Sequence, residues 1–169
     1  MENRNYLELS QEIYNLAEPD YARYYYNREN GGFVLVHKNH NQNASELFIA
    51  KIFANQGMRV KLLSEQAEAG VKTPDAEIDG SLWEFKELTP AAASISNAVQ
   101  RGVAVGKKRA PNLAYHINTL ADIREINTGI SRALIWDTDM LLQKIVLVYN
   151  DESLQFLTRE ELDNGQRFQ

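Results

Sequence analysis

Apolar side chains at Tyr6, Leu7, Leu9, Ile13, Tyr14 and Leu16 recur at helical spacing, which predicts a helix over residues 6–17, stopped by Pro19. Two β-prone runs follow, Ala22–Tyr26 and Phe33–His37. Between them Asn30-Gly31-Gly32 is a turn signal, so the pair reads as a hairpin. Residues 39–43 are polar and loop-like. From Ala44 the pattern sharpens. Ser45 is placed to cap a helix carrying Leu47, Phe48, Ala50, Ile52 and Phe53, and Gly57 stands where such helices end. Residues 58–63 alternate as a half-buried strand, and 64–72 are polar. Residues 75–79 and 82–88 are short strands joined through Gly80-Ser81.

Pro90 breaks the pattern, and residues 91–110 permit a helix, although Gly102 and Gly106 weaken it. Leu113–Ile117 is a strand and 120–136 an amphipathic helix. Lys144–Tyr149 is nearly continuous in apolar residues, as a central buried strand would be, and Leu154–Leu157 closes the series. The order from Ala44 onward is therefore α-β-β-β-α-β-α-β-β. That order calls for an α/β (α+β) fold with a mixed sheet and flanking helices. Residues 1–43 form an N-terminal helix and hairpin too short for a good core of their own, which leaves 44–169 as the main domain.

Composition narrows this picture only a little. A chain of 169 residues with 44% hydrophobic and 24% charged residues suits an ordinary globular protein. No apolar run approaches the roughly 20 residues that span a bilayer. Residues 1–6 lack a basic segment followed by an apolar one, so no signal peptide is expected. The absence of cysteine excludes disulfides and thiolate metal sites, leaving carboxylates, carbonyls and three histidines as metal donors. The histidines, His37, His40 and His116, show no metal-ligand spacing. A net charge of −5 argues mildly against nucleic acid, but distribution matters more than the sum. Arg101, Lys107, Lys108 and Arg109 form a basic stretch uninterrupted by acids, either a solvated face or a surface for phosphates.

The chemistry concentrates on the paired short strands. Side chains alternate along a strand, so Asp75, Glu77 and Asp79 share one face and Glu84 and Lys86 another. Antiparallel pairing would bring Asp75 beside Glu84 and Lys86. Two carboxylates aimed at one point repel unless a cation joins them, and hard oxygen ligands suit Mg²⁺ or Mn²⁺. Such an ion lowers the pKa of a bound water and stabilises charge on a phosphate, while Lys86 could orient or deprotonate that water. The plainer alternatives are an exposed Glu84–Lys86 ion pair on an edge strand, a turn cap at Asp75 and an ordinary first-turn acid at Glu46.

Thr73-Pro74-Asp75 followed by Trp83-Glu84-Phe85-Lys86 resembles the PD-(D/E)xK nuclease superfamily, whose signature is Pro-Asp on one strand and Asp/Glu-x-Lys on the next. The resemblance implies a restriction-endonuclease-like αβββαβ core. It also implies that a glutamate on the first helix completes the metal site, a place taken by Glu46. With Glu46–Lys51, Gly57–Val60 and Thr73–Gly80 included, the chain looks most like the C-terminal toxin domains of contact-dependent growth-inhibition proteins, over about residues 44–157. Those toxins include metal-dependent tRNA nucleases, and similar domains end some phage and mobile-element proteins. The resemblance therefore implies a metal-dependent nuclease with Asp75, Glu84, Lys86 and Glu46 as catalytic residues. Asp75, Glu84 and Glu46 would hold the metal. Gln100, Arg101, Lys107, Lys108 and Arg109 would contact nucleic acid, RNA favoured over DNA. It further implies action in the cytoplasm and a cognate immunity protein as partner. Two competing readings stay open: a metal-independent ribonuclease of the barnase, EndoU, colicin and RelE type, for which His116, Arg109 and Thr119 are the available set, and a non-catalytic binding module.

Overall fold

The computed structural model describes residues 2–66 and 73–169, which include two compact units, Met1–Leu82 and Trp83–Gln169. The elements of the first unit are α1 (Glu2–Asn15), β1 (Tyr21–Tyr26), β2 (Phe33–His37), α2 (Ala44–Asn55), β3 (Arg59–Leu62) and β4 (Ala76–Ile78). A turn at Asp79 and Gly80 leads into β5 (Ser81–Leu88). The second unit continues with α3 (Ile95–Gly106), β6 (Asn112–Ile117), α4 (Ile123–Ile135), β7 (Lys144–Tyr149), β8 (Leu154–Thr158) and α5 (Arg159–Asp163). The fold is mixed α/β, as the pattern predicts, and the expected succession from α2 onward is present. Of the polar stretch 64–72, residues 67–72 lie outside the described residues.

In the first unit the strands run in the order β1-β2-β3-β4. The hairpin β1–β2 is antiparallel, β2 lies parallel to β3, and β3 lies antiparallel to β4. Phe33, Val34, Leu35 and Val36 are all buried, so both faces of β2 are covered. Tyr14 of α1 packs its ring against Phe33, while Ile49, Ile52 and Phe53 of α2 supply further core. Helix α1 begins before the expected residue 6 and stops at Asn15, short of Leu16. Asn43, two residues ahead of the expected Ser45, caps α2 by accepting the Glu46 N–H at 2.8 Å.

The second unit has the order β5-β6-β7-β8, with β5, β6 and β7 parallel and β8 antiparallel to β7. Strand β7 is central, and its four middle residues are buried, as its apolar run predicts. Helices α3 and α4 pack together, and Val99, Val103, Ile126 and Ile130 join Leu113, Tyr115, Ile145 and Leu147 in one core. The glycines that weakened α3 on propensity turn out to set its height. A Cβ at Gly102 would overlap the Tyr115 ring, and one at Gly106 would stand 2.6 Å from the Leu113 side chain. Four residues apart, both lie on one helix face, and their lack of side chains lets α3 settle onto β6.

Both long helices of this unit are shorter than the pattern suggested, because Ser94 and Asp122 cap them with their side chains. Helix α5 was not anticipated. Its signal is a capping box, in which Thr158 accepts the Glu161 N–H and the Glu161 carboxylate accepts the Thr158 N–H.

Candidate functional site

Two groups of side chains carry the chemistry, one in each unit. In the second, Glu84 is fully buried on β5, which overturns the alternative of an exposed pair. Its Oε2 accepts from Arg109 Nη1 at 2.9 Å and lies 3.3 Å from Lys86 Nζ. The alternation along β5 puts Glu84 and Lys86 on one face, as expected. Helix α3 reaches them through Gly106, whose missing Cβ would stand 3.6 Å from Lys86 Cε and 3.7 Å from Glu84 Cγ. Lys86 and Arg109 keep 21% and 30% of their side chains exposed, so the buried carboxylate carries two cations that still face solvent. Arg109 Nε is buried and has no hydrogen-bond partner among the described residues. Lys86 also lines an open groove with Thr89, Arg101, Val105 and Tyr115. Burial in the core beneath that groove pushes the Tyr115 hydroxyl up to about 12.

The first unit gathers Glu46 and Asp75 around Leu63. Asp75 lies just before β4 rather than in it, and its carbonyl accepts the Leu63 N–H at 2.9 Å. The Leu63 carbonyl in turn accepts from His40 Nδ1 at 2.6 Å, and His40 Nε2 stands 2.6 Å from Glu46 Oε2. The His40 side chain is fully buried, and Glu65 Oε1 lies 4.0 Å from its Nδ1. Burial opposes the charged ring, but the Glu46 carboxylate and the Leu63 carbonyl, helped by Glu65, outweigh it and raise the His40 pKa above the ordinary histidine value. His40 is therefore the close partner of Glu46 that sequence reasoning missed. Its nearest clue was its place six residues before Glu46, a separation set by the polar turn and not by any metal-binding motif.

The expected basic surface is divided. Arg101 and Lys108 are exposed, and Arg101 shares the groove with Lys86. Lys107 needs correction: its side chain is 10% exposed, and its Nζ lies 3.5 Å from Asp137 Oδ1 and donates to the Trp136 carbonyl. The turn after α3 separates three consecutive cations, sending Lys107 to Asp137, Lys108 to solvent and Arg109 to Glu84. Gln100 is half-buried on α3, where its backbone lies against Gly129 of α4.

His116 is buried and joins Asn150 Oδ1 at 2.7 Å through Nε2, while Asn150 and Asn118 continue the chain of hydrogen bonds to Glu87. In register His116 faces Glu87, three residues along the strand from the Glu84–Leu113 pair, or about 10 Å. His116 and Arg109 therefore make no compact acid–base set, which removes support from the metal-independent reading.

Residues 72–153 match the family model for the contact-dependent growth inhibition CdiA C-terminal domain, a little under half of the chain. The matched segment holds Asp75, Glu84, Lys86 and Arg109, but not His40, Glu46 or Glu65. Among solved structures the chain is similar to a CdiA-CT/CdiI toxin and immunity complex from Burkholderia pseudomallei. The identity is 20% over 67% of this chain and 81% of that one, with a TM-score of 0.47. A comparison with curated proteins gives no match. Among the described residues, no helix is long and apolar enough to cross a membrane.

Proposed function

We propose that the chain is a metal-dependent nuclease of the toxin type, hydrolysing phosphodiesters of RNA, tRNA in particular, and held in check by an immunity protein. The observation that carries this reading is the fully buried Glu84 with Lys86 and Arg109 converging on its Oε2. A buried carboxylate with two cations costs free energy, and here both cations keep a side to solvent where a substrate could meet them, which supports a chemical role. The family match over residues 72–153 supports the toxin reading, and Glu46, one of its expected ligands, stands in a group with His40 and Glu65 whose donor types suit a divalent cation.

In this reading the candidate ligands for Mg²⁺ or Mn²⁺ are Asp75 and Glu46 in the first unit and Glu84 in the second, and the ion would supply an acidified water and offset charge on the phosphate. Lys86, next to Glu84 and open to the groove, orients the attacking water or neutralises the scissile phosphate. Arg109 fixes Glu84. Arg101 and Lys108 reach flanking phosphates, with the substrate lying along the groove that Arg101 and Lys86 share.

Incubation with tRNA, other RNA and duplex DNA, each with Mg²⁺ and with EDTA, tests the reading. Cleavage of tRNA that stops in EDTA and in the Asp75→Ala variant is expected. Equal cleavage with and without EDTA would overturn the metal requirement, and cleavage of DNA alone would overturn the substrate.

A further inference from the structure

The first unit contains a cluster that the carboxylate motif does not include. We propose that His40, Glu46 and Glu65 bind a divalent first-row transition ion, with His40 Nε2 as its nitrogen ligand. The proposal rests on the metal-dependent reading for the role of Glu46 and deepens it by naming the partners of that residue within the first unit and narrowing the ion.

The geometry runs from the backbone outward. His40 stands just past the turn after β2, where its N–H donates to the His37 carbonyl at 2.9 Å. Its Nδ1 faces the Leu63 carbonyl at 2.6 Å, and a carbonyl can only accept, so Nδ1 carries the hydrogen. In a neutral ring the lone pair then lies on Nε2. That nitrogen stands 2.6 Å from a carboxylate oxygen of Glu46, so a proton is shared between them, and a bound ion would displace that proton and be held by both groups. Ligating histidines commonly anchor one ring N–H on a backbone carbonyl and ligate through the other nitrogen, and the Leu63 carbonyl fixes the His40 ring in that way with Nε2 turned toward Glu46. The three donors come within 4.8 Å of one another, and each is fixed by its backbone: Asn43 caps Glu46, and the Glu65 N–H donates to the Asn39 carbonyl at 3.3 Å. Exposure grades outward, from none at the His40 side chain through 13% at Glu46 to 39% at Glu65, which leaves a side for ion and water to enter.

An imidazole nitrogen with carboxylates suits Mn²⁺, Co²⁺, Ni²⁺ or Zn²⁺ better than Mg²⁺, which prefers oxygen and keeps its waters. The competing interpretation is a His40–Glu46 ion pair that only pins the start of α2. Glu65 separates the two, because it lies 4.0 Å from Nδ1 and takes no part in the short contact.

The test is calorimetric titration of the full chain, stripped by chelation, with Mn²⁺, Zn²⁺ and Mg²⁺, beside electron-spin detection of nitrogen coupling to bound Mn²⁺. Wild type is expected to bind Mn²⁺ or Zn²⁺ more tightly than Mg²⁺ and to show the nitrogen coupling. His40→Gln should weaken transition-ion binding by about 100-fold and abolish the coupling, and Glu65→Gln should weaken it by about tenfold. Circular dichroism reports whether His40→Gln folds; if it does not, Glu65→Gln and the coupling in wild type decide. Unchanged affinity in the variants, or no nitrogen coupling in wild type, overturns the proposal. Metal-dependent cleavage with no effect of His40→Gln on binding sinks this inference and spares the nuclease reading. Binding that needs His40 without any metal-dependent cleavage does the reverse.

Discussion

The second unit buries two carboxylates, Glu84 and Asp137, and gives each one lysine and one arginine, yet the two are built differently. Asp137 is satisfied on both oxygens. Its Oδ1 accepts the Leu141 N–H at 3.1 Å and meets Lys107, and its Oδ2 accepts the Leu142 N–H at 2.9 Å and Arg159 Nη1 at 2.6 Å. Its cations are themselves enclosed, with 10% of the Lys107 side chain and 7% of that of Arg159 exposed. Around Glu84 both cations crowd a single oxygen and keep two to four times as much exposure. Backbone N–H groups hold Asp137 as a structural clamp that ties the end of α4 to the start of α5. Two of the groups that meet Glu84, Lys86 and Arg109, keep part of their side chains in solvent. Burial and ion pairing alone therefore do not mark a reactive carboxylate, and what sets Glu84 apart in the nuclease reading is that its cations keep 21% and 30% of their side chains exposed.

Exchanging the lysines should break the comparison most sharply. Lys86→Ala should lower cleavage by about 100-fold or more, as for loss of a group acting on the proton in flight, with little change in melting temperature. Lys107→Ala should do the opposite, lowering the melting temperature while cleavage per folded molecule stays near wild type. Single-turnover cleavage beside thermal melts reads both. Equal loss of cleavage in the two variants would mean that the Asp137 cluster serves the reaction as well.

Next in size is the clamp itself. Asp137→Ala leaves Arg159 enclosed without its main partner and should cost roughly 3–5 kcal/mol, measured by denaturant unfolding. Burial opposes ionisation of Asp137, but the Leu142 and Leu141 N–H groups, Arg159 and Lys107 outweigh it and hold its carboxyl below the ordinary value. A depressed folded value means that the contribution is complete above the unfolded carboxylate value, about 4, and is lost as pH falls through the lowered folded one. Asp137→Asn should therefore flatten the stability profile in that acid window and leave it unchanged near neutrality apart from a constant offset. A profile as steep as wild type would place the acid sensitivity elsewhere.

The comparison also explains what could be read in the sequence. Strand β7 and the helix-before-strands order were legible because apolar periodicity is a local property, and Glu84 with Lys86 was legible because alternation along a strand is too. Legibility failed where a partner comes from far along the chain. Nothing near Lys107 announces Asp137, which sits 30 residues on, and nothing near His40 announces the Leu63 carbonyl. Three adjacent cations in a turn look alike in sequence, and only the fold sends them in three directions. Helix α5 is a different case, since its capping box at Thr158 and Glu161 is local, and five residues are too few to show a helical apolar period.

The smallest effect is expected at Lys108, the member of that turn that faces solvent. If it touches a phosphate, Lys108→Ala should weaken nucleic-acid binding evenly across sequences and reduce the slope of log K against log salt by about 1. Lys107→Ala should leave the slope alone, because its ammonium already faces Asp137 and releases no counterion when substrate arrives. The pair of slopes, measured by titration at several salt concentrations with a cleavage-inactive Lys86→Ala background, isolates the surface contribution from catalysis. An unchanged slope for Lys108→Ala would confine the substrate contacts to the groove side of α3, where Arg101 stands, and leave the turn as a purely structural branch point between Glu84 and Asp137.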